Sequence, residues 1–213
     1  MIKGAIFDLD GVITDTARLH YIAWKNLAKS IGIDIDEEFN ETLKGVSRRD
    51  SLIKILEHAS VRDKYSDDDI KTLTDKKNDE YVKLLDDLTK DDILPGIEAF
   101  IKELKEKNMK IGLASVSKNA PKILEILGLL DQVDFIADPA KVEKGKPAPD
   151  IFIESARGIG LDIDQVFGIE DSQAGVQAMR ACNMRSVGIG VDADLRLETT
   201  GDLSLEKIAL YFE

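Results

Sequence analysis

The chain has 213 residues and a formal net charge of −12, from 29 basic and 41 acidic residues. Hydrophobic residues make up 43% and charged residues 33%, which is typical of a globular protein with one large domain or a core with an inserted module. The excess of acidic residues argues against a nucleic acid or an anionic membrane as partner. No apolar run approaches the ~20 residues of a membrane-spanning helix. The single cysteine, Cys182, is expected to be a packed thiol without a disulfide.

The N-terminal segment predicts a buried strand that ends on two aspartates. Residues 2–7 are mostly apolar, as in a strand covered on both faces, and Asp8, Asp10 and Gly11 follow. Residues two apart in an extended chain point to the same side, so the two carboxylates share the sheet edge where α/β folds bind ligands. Such a pair can hold a hard cation or supply a nucleophile for phosphorus. The alternative is two solvated aspartates that cap the next helix.

The next part of the chain predicts a helical module. Its first helix has an apolar face at helical spacing, ends at Gly32, and carries Thr16, His20 and Trp24 on a neighbouring stripe. These side chains either face a cleft or make their hydrogen bonds to other groups inside the fold. The helical segments are predicted near 15–31, 36–43, 49–59 and 67–88.

A basic loop joins two of these helices at residues 44–51. It combines a glycine, small polar residues and three basic side chains, and Ser47 or Asp50 is expected to cap the helix that follows. Backbone N–H groups and a guanidinium there can bind an anion, whereas the alternative is an ordinary helix connection with scattered charge.

The rest of the chain alternates between strands and helices. Helices of about 10–15 residues separate the short apolar strands, which predicts a doubly wound, Rossmann-like parallel sheet. We therefore expect an α/β core formed by residues 1–14 and 93–213, with residues 15–92 inserted as an α-helical cap. The strands are predicted at 110–114, 133–137, 166–169 and 186–190, and the later helices near 150–159, 173–182 and 204–212.

Polar side chains follow several of the predicted strands. Ser115 comes directly after one strand, Glu170 and Asp171 end another, and Lys146 lies in a rigid Lys-Pro-Ala-Pro loop whose Lys146–Pro147 bond is a candidate for the cis form. Together with Asp8, these residues are expected to meet at one edge of the sheet.

Their order resembles the four motifs of the haloacid dehalogenase superfamily of phosphotransferases. Residues 7–16 resemble its first motif, and the resemblance covers nearly the whole chain, being weakest in the acidic part of the cap and after about residue 190. Four segments also resemble the members that interconvert β-D-glucose 1-phosphate and glucose 6-phosphate: 44–48, 114–119, 146–150 and 168–175.

The resemblance implies a role for each motif residue. Asp8 is the nucleophile and Asp10 the general acid and base, while Ser115 and Lys146 bind the phosphoryl group in transfer. Magnesium is expected at the Asp8 carboxylate, the Asp10 carbonyl and Asp171, with Glu170 in support. The residues expected to bind the sugar and its second phosphate, or to position Asp10, are Thr16, His20, Trp24, Lys44, Gly45, Val46, Arg48, Ser51, Lys77, Ser117, Lys118 and Asn119.

The resemblance thus predicts a mutase that works through a phosphorylated Asp8 and a β-glucose 1,6-bisphosphate intermediate, under a cap that excludes water. The alternative is a sugar-phosphate phosphatase of the same superfamily, in which water reaches the phospho-aspartate. A non-catalytic protein on the same scaffold would bind phosphate without turnover. The first residues enter a strand without a signal-peptide pattern, so a cytoplasmic enzyme is expected, acting as a monomer on a small sugar phosphate.

Overall fold

A computed structural model describes residues 1–212 and contains one parallel sheet. The strands are β1 (Gly4–Phe7), β2 (Lys110–Leu113), β3 (Phe135–Ile136), β4 (Val166–Glu170), β5 (Arg185–Ile189) and β6 (Leu195–Leu197). Their order across the sheet is β3-β2-β1-β4-β5-β6, and every neighbouring pair is parallel. Strand β1 lies between β2 and β4, so that the chain winds outward from β1 in both directions, as expected for a doubly wound sheet.

Helices cover both faces of this sheet. The helices on the sheet are α5 (Ile97–Glu106), α6 (Ala120–Leu127), α7 (Asp150–Gly158), α8 (Gln173–Ala181) and α9 (Leu205–Phe212). Alternate residues of β1 point to opposite faces: Ala5 and Phe7 pack in one apolar cluster with α5, α6 and α9, whereas Ile6 packs in another with α7 and α8. Burial on both faces explains why β1 is apolar throughout rather than alternating.

The four remaining helices form a separate helical unit, here called the cap (α1–α4). It has an apolar cluster of its own, in which Trp24 and Leu27 of one helix meet Leu52, Ile55 and Ile70 of two others. The inserted helical cap expected from the sequence is therefore present. Its helices are α1 (Ala17–Ser30), α2 (Glu37–Glu41), α3 (Arg48–His58) and α4 (Asp67–Leu84).

Most predicted elements lie within a few residues of the observed ones. Ser47, rather than Asp50, caps α3: its hydroxyl accepts the Asp50 N–H at 3.2 Å. The segment 67–88 divides into α4 and a short 3-10 turn, Leu85–Asp87, and the edge strand β6 was not predicted. The Lys146–Pro147 bond is cis.

The half-buried Cys182 donates from its thiol to the Met179 carbonyl at 3.3 Å, as a packed thiol does, and burial raises its pKa. Within residues 1–212, none of the helices has the length and apolar character needed to cross a bilayer.

Candidate active site

A buried lysine joins the ends of two neighbouring strands. Lys146 Nζ donates to Asp8 Oδ1, which follows β1, at 2.7 Å, and to Glu170 Oε1, at the end of β4, at 2.5 Å. The ammonium also lies 4.9 Å above the ring of Phe152. Burial alone would lower the pKa of Lys146, but the charges of Asp8 and Glu170 outweigh it and hold that pKa above its usual value. Lys146 is therefore a permanently charged group at the sheet edge.

Three carboxylates beside this lysine form a group suited to a hard cation. Oxygen atoms of Asp8, Glu170 and Asp171 lie within 4.8 Å of one another. Burial and mutual repulsion raise the pKa of Asp8, and they raise that of Asp171 to about 7. One buried ammonium cannot balance all this negative charge, and carboxylate oxygens are the ligands that divalent oxygen-seeking cations prefer. The donor set thus fits a bound divalent cation.

Glu170 differs from the other two carboxylates because both of its oxygens already have partners. Oε1 accepts from Lys146, and Oε2 accepts from the backbone N–H and the hydroxyl of Ser172, both at 2.9 Å. Helix α8 approaches so closely that a Cβ on Gly175 would lie 1.8 Å from Glu170 Oε1, and only glycine fits there. Glu170 is therefore fixed in orientation, whereas Asp8 and Asp171 are freer to serve as ligands.

Asp10 faces the cap rather than the lysine. The Thr16 hydroxyl donates to Asp10 Oδ1, and His20 Nε2 lies 3.9 Å from the same oxygen. Burial raises the pKa of Asp10 to about 6, although the positive charge of Lys77 opposes this. A carboxyl group with such a pKa can carry a proton or release it near neutral pH, as a general acid and base must.

Lys77 connects Asp10 to the interior of the cap. Its Nζ lies 2.6 Å from His20 Nδ1 and sits 4.8 Å and 4.6 Å above the rings of Trp24 and Tyr81. When Lys77 is protonated its ammonium can only donate, so Nδ1 accepts and the hydrogen of the neutral imidazole is on Nε2, facing Asp10. Burial, together with the charges of Lys77 and Arg48, lowers the pKa of His20. Burial and Arg48 lower that of Lys77 to about 7.

The cap lies closed against the core and leaves a cavity of about 70 Å³ between them. The closeness is clear at Gly45, where a Cβ would lie 2.6 Å from Ser172 Oγ. Asp8, Asp10 and Asp171 open onto this cavity from the core. The expected substrate-binding residues that line it are His20, Trp24, Lys44, Gly45, Val46, Arg48, Ser51, Lys77 and Ser117.

Three other expected substrate-binding residues lie outside this lining. Thr16 is buried beside Asp10, Lys118 is exposed, and Asn119 bonds to Asn78 of the cap. Ser115 is buried behind the lining, with its hydroxyl accepting the Ser117 N–H at 3.1 Å. The lining residues that the sequence did not single out are Ala17, Asn40, Leu43 and Val116, and of these only Val116 lies inside a recognised motif.

Among the residues that the structure describes, two basic groups of the cavity lining make no salt bridge: Lys77, which contacts the neutral His20, and Arg48. Lys44 is paired with Glu41 at 2.9 Å, but Arg48 makes no salt bridge among the residues that the structure describes. Burial lowers the pKa of Arg48, which remains charged since a guanidinium ionises far above neutral pH. An unneutralised guanidinium facing a closed cavity is suited to binding an anion.

Comparisons with known proteins agree with this geometry. The family model of haloacid dehalogenase-like hydrolases matches residues 2–183. The chain is 45% identical to a β-phosphoglucomutase of Bacillus subtilis, over 96% of this chain and 93% of that protein. It is 26% identical to a phosphorylated carbohydrates phosphatase of Thermotoga maritima, over 87% of this chain and 84% of that protein. The crystal structure of a β-phosphoglucomutase from Clostridium difficile superposes with a TM-score of 0.97 at 46% identity, covering 100% of this chain and 97% of that one.

Proposed function

The chain belongs to the haloacid dehalogenase-like hydrolase family, and we propose that within it the chain acts as a β-phosphoglucomutase. It interconverts β-D-glucose 1-phosphate and glucose 6-phosphate through an aspartyl phosphate and a β-glucose 1,6-bisphosphate. The alternative, a sugar-phosphate phosphatase, has weaker support, because the phosphatase relatives are 26–30% identical and the mutase of Bacillus subtilis is 45% identical.

The observation that favours transfer to sugar over transfer to water is the position of Arg48. It lines the closed cavity from the cap, while Lys146 and Asp8 belong to the core. A sugar bisphosphate needs one site for the phosphoryl group in transfer and another for the phosphate that stays in place. Lys146 suits the first and the unneutralised Arg48 suits the second. A phosphatase for monophosphates requires no such second site.

The reaction follows from the groups at the sheet edge. In one direction, a carboxylate oxygen of Asp8 forms a bond to phosphorus as the bond from phosphorus to the sugar oxygen breaks, and Asp10 gives its proton to that oxygen. In the other direction, Asp10 takes the proton of a sugar hydroxyl, whose oxygen attacks the phosphorus on Asp8. Ser115 and Lys146 hold the phosphoryl oxygens. Positioning and charge neutralisation are the main requirements of this chemistry.

The acidic cluster is proposed to hold Mg²⁺, which neutralises charge on the phosphoryl oxygens when it is bound. Its ligands are the carboxylates of Asp8 and Asp171 and the backbone carbonyl of Asp10. The fixed orientation of Glu170 between Lys146 and Ser172 supports a role beside the ligands rather than among them.

The cap residues divide between two proposed tasks. Thr16, His20 and Lys77 position Asp10. This role is supported by the Thr16 hydroxyl, which donates to the Asp10 carboxylate, and by His20, which lies 3.9 Å from that carboxylate and is itself held by Lys77. The sugar and its second phosphate are held by Trp24, Lys44, Gly45, Val46, Arg48 and Ser51 from the cap and by Ser117, Lys118 and Asn119 from the core.

The boundaries between the two units are also proposed. Residues 15–92 form the cap and residues 1–14 and 93–213 the core. The antiparallel bridge of Thr14 with Ile93, and the Leu94 N–H that donates to Ile13 O at 2.9 Å, support a paired hinge at these points. A monomeric state and a cytoplasmic location stay predictions from the sequence.

One assay tests the proposed function. The protein is incubated with β-glucose 1-phosphate, Mg²⁺ and a catalytic amount of acetyl phosphate, and glucose 6-phosphate and inorganic phosphate are followed together. We expect glucose 6-phosphate in large excess, and no conversion of the matched α-anomer. Release of phosphate without glucose 6-phosphate would identify a phosphatase, and binding without either product would identify a non-catalytic protein.

A further inference from the structure

Asn119 stands at the start of helix α6 but does not cap it. Asparagine is among the preferred residues at this position because its side-chain oxygen can accept an N–H of the first turn. Here the Asn119 side chain makes no such bond. Its Nδ2 instead donates to Oδ1 of Asn78, 3.0 Å away on helix α4 of the cap. The Asn119 side chain thus contacts the cap through its amide nitrogen, while its oxygen accepts no N–H from the first turn of α6.

The loop that carries Asn119 is tied together by hydrogen bonds of its own. Ser115 Oγ accepts the N–H of Ser117 at 3.1 Å, and Ser117 Oγ accepts the N–H of Asn119 at 3.3 Å. Each of these two bonds joins residues that are two positions apart in the sequence. With the Asn119–Asn78 bond added, a chain of three hydrogen bonds joins Ser115, at the end of β2, to α4.

Helix α4 presents its buried face to the active site at the same level. Lys77 is 1% exposed and contacts His20, which faces Asp10, and Asn78 is the next residue. Adjacent residues on a helix point about 100° apart, so the two side chains diverge. One turn of α4 therefore contacts the Asp10 side of the site through Lys77 and the Ser115 side through Asn78.

We propose that Asn78 is a positioning residue that couples closure of the cap to the order of the loop 115–119. The bond to Asn119 can exist only while α4 lies against the core, since its two ends belong to the two units. In the closed state Asn78 Oδ1 accepts a hydrogen bond from one of the two N–H groups of Asn119 Nδ2. The other N–H group is left to donate to a phosphate oxygen of the substrate. When the cap opens, Asn119 and the loop lose this support. This inference rests on the proposed mutase function.

The consequence is a bias against hydrolysis of the phosphoenzyme. A hydrogen bond made only in the closed state raises the closed population, and exclusion of water protects the phospho-aspartate. The net worth of a neutral hydrogen bond corresponds to about a two- to tenfold change in that population. Removing the Asn78 side chain should therefore raise the share of phosphoryl groups that go to water by a similar factor.

The experiment compares three variants on α4 with the wild type. The enzyme is labelled with radioactive acetyl phosphate, freed of excess reagent and mixed with excess β-glucose 1-phosphate, and the label is counted on sugar and on inorganic phosphate. Asn78→Ala should raise the inorganic share by about two- to tenfold. Asn78→Asp keeps an acceptor oxygen and should remain within about twofold of wild type. Lys76→Ala, at an exposed neighbouring position, is the matched control and should not change.

A second measurement does not depend on turnover. Amide hydrogen exchange at Ser117 and Asn119 in the ligand-free protein should be faster in Asn78→Ala and unchanged in Lys76→Ala, with the melting temperature the same in both. The inference is overturned if Asn78→Ala leaves both the inorganic share and the exchange rates at wild-type values, or if Asn78→Asp matches Asn78→Ala. If the wild-type phosphoenzyme gives its label only to water, the proposed function fails, while the exchange data still test the Asn78–Asn119 bond.

Discussion

Lys146 Nζ lies 2.7 Å from Asp8 Oδ1, and both side chains are almost completely excluded from solvent. The same ammonium bonds Glu170, so that a single buried cation is shared by two carboxylates of neighbouring strands. The contact matters for the fold as well as for the chemistry. A buried carboxylate without a partner loses its favourable hydration free energy, and the protein interior does not compensate for that loss.

Replacement of this lysine should therefore affect both stability and turnover. Lys146→Met keeps the volume but leaves Asp8 and Glu170 without their partner, which is expected to lower the free energy of unfolding by about 3–5 kcal/mol. Turnover should fall at least about a hundredfold, as when an oxyanion donor is removed. Urea unfolding and the mutase assay measure the two effects. Lys144→Met, at an exposed position of the same loop, is the control and should change neither. Wild-type stability in Lys146→Met would contradict the buried pairing.

The metal-free protein should be less stable at pH 7 than at pH 5. The pKa of Asp10 is about 6 and that of Asp171 about 7, both raised by burial from 3.8, so the folded chain keeps these protons to higher pH than the unfolded chain. Where the folded state binds more protons, stability falls as pH rises, here from about pH 4 to pH 7. The raised pKa of Asp8 adds to this decline, and the pKa of His20, lowered from 6.5, opposes it in part. The lowered pKa of Lys77, about 7 instead of 10.5, acts in the opposite sense above pH 7.

Thermal unfolding in the presence of a chelator measures this dependence. Asp171→Asn removes one of the three carboxyl groups whose pKa is raised, the others being Asp8 and Asp10, and should flatten the decline between pH 5 and pH 7. Because the cation requires deprotonated carboxylates, added Mg²⁺ should raise the melting temperature more at pH 7 than at pH 5. Equal stability of the metal-free wild type at both pH values, together with an unchanged pH profile in Asp171→Asn, would contradict the raised pKa of Asp171.

The sequence predicts the framework of this site well because its signals are local. The apolar run before Asp8 needs only burial on two faces to become the central strand. Ser47 caps α3 by accepting the N–H of Asp50, which lies only three residues further along the chain. Strand β6 is different: Leu195–Leu197 is too short to have a recognisable period, and it is a strand because Val187 of β5 pairs with Leu195.

The contacts between cap and core could not be predicted from local signals. Lys77 was expected near Asp10 only through the resemblance, because nothing in its own helix distinguishes it from the exposed Lys76. Asn78 has no motif at all, and its role depends on how α4 lies against the loop that holds Asn119. Such contacts depend on the docking of two units, which helical spacing does not encode.

Asp8→Asn should lower turnover by several orders of magnitude, because the amide cannot form the phosphoenzyme. The fold should survive, since the amide oxygen can still accept from Lys146. Labelling with radioactive acetyl phosphate followed by acid precipitation measures the phosphoenzyme directly. Label retained on Asp8→Asn protein, or turnover near that of the wild type, would exclude Asp8 as the nucleophile.

Asp10→Asn should lose turnover while keeping its metal affinity. Its backbone carbonyl, the proposed ligand, is unchanged, but the side chain no longer carries a proton, and general acid–base catalysis is typically worth about 10²–10⁴-fold. Titration with Mg²⁺ and the mutase assay are carried out on one preparation. A fall in Mg²⁺ affinity as large as the fall in rate would mean that the Asp10 side chain is itself a metal ligand.

Arg48→Ala provides the sharpest separation between mutase and phosphatase. If Arg48 holds the phosphate that is not being transferred, its loss removes charged hydrogen bonds worth about 1.5–3 kcal/mol, or about 10- to 150-fold in mutase kcat/KM. Slow hydrolysis of acetyl phosphate, which carries no second phosphate, should remain within about twofold of the wild type if the change is confined to that site. Arg49→Ala is the matched control, because Arg49 pairs with Asp67 on the cap surface at 2.6 Å and does not line the cavity. Equal losses in both reactions would assign Arg48 to the transferring phosphoryl group or to the folding of the cap. No loss in either would remove the structural argument for a second phosphate site and favour the phosphatase.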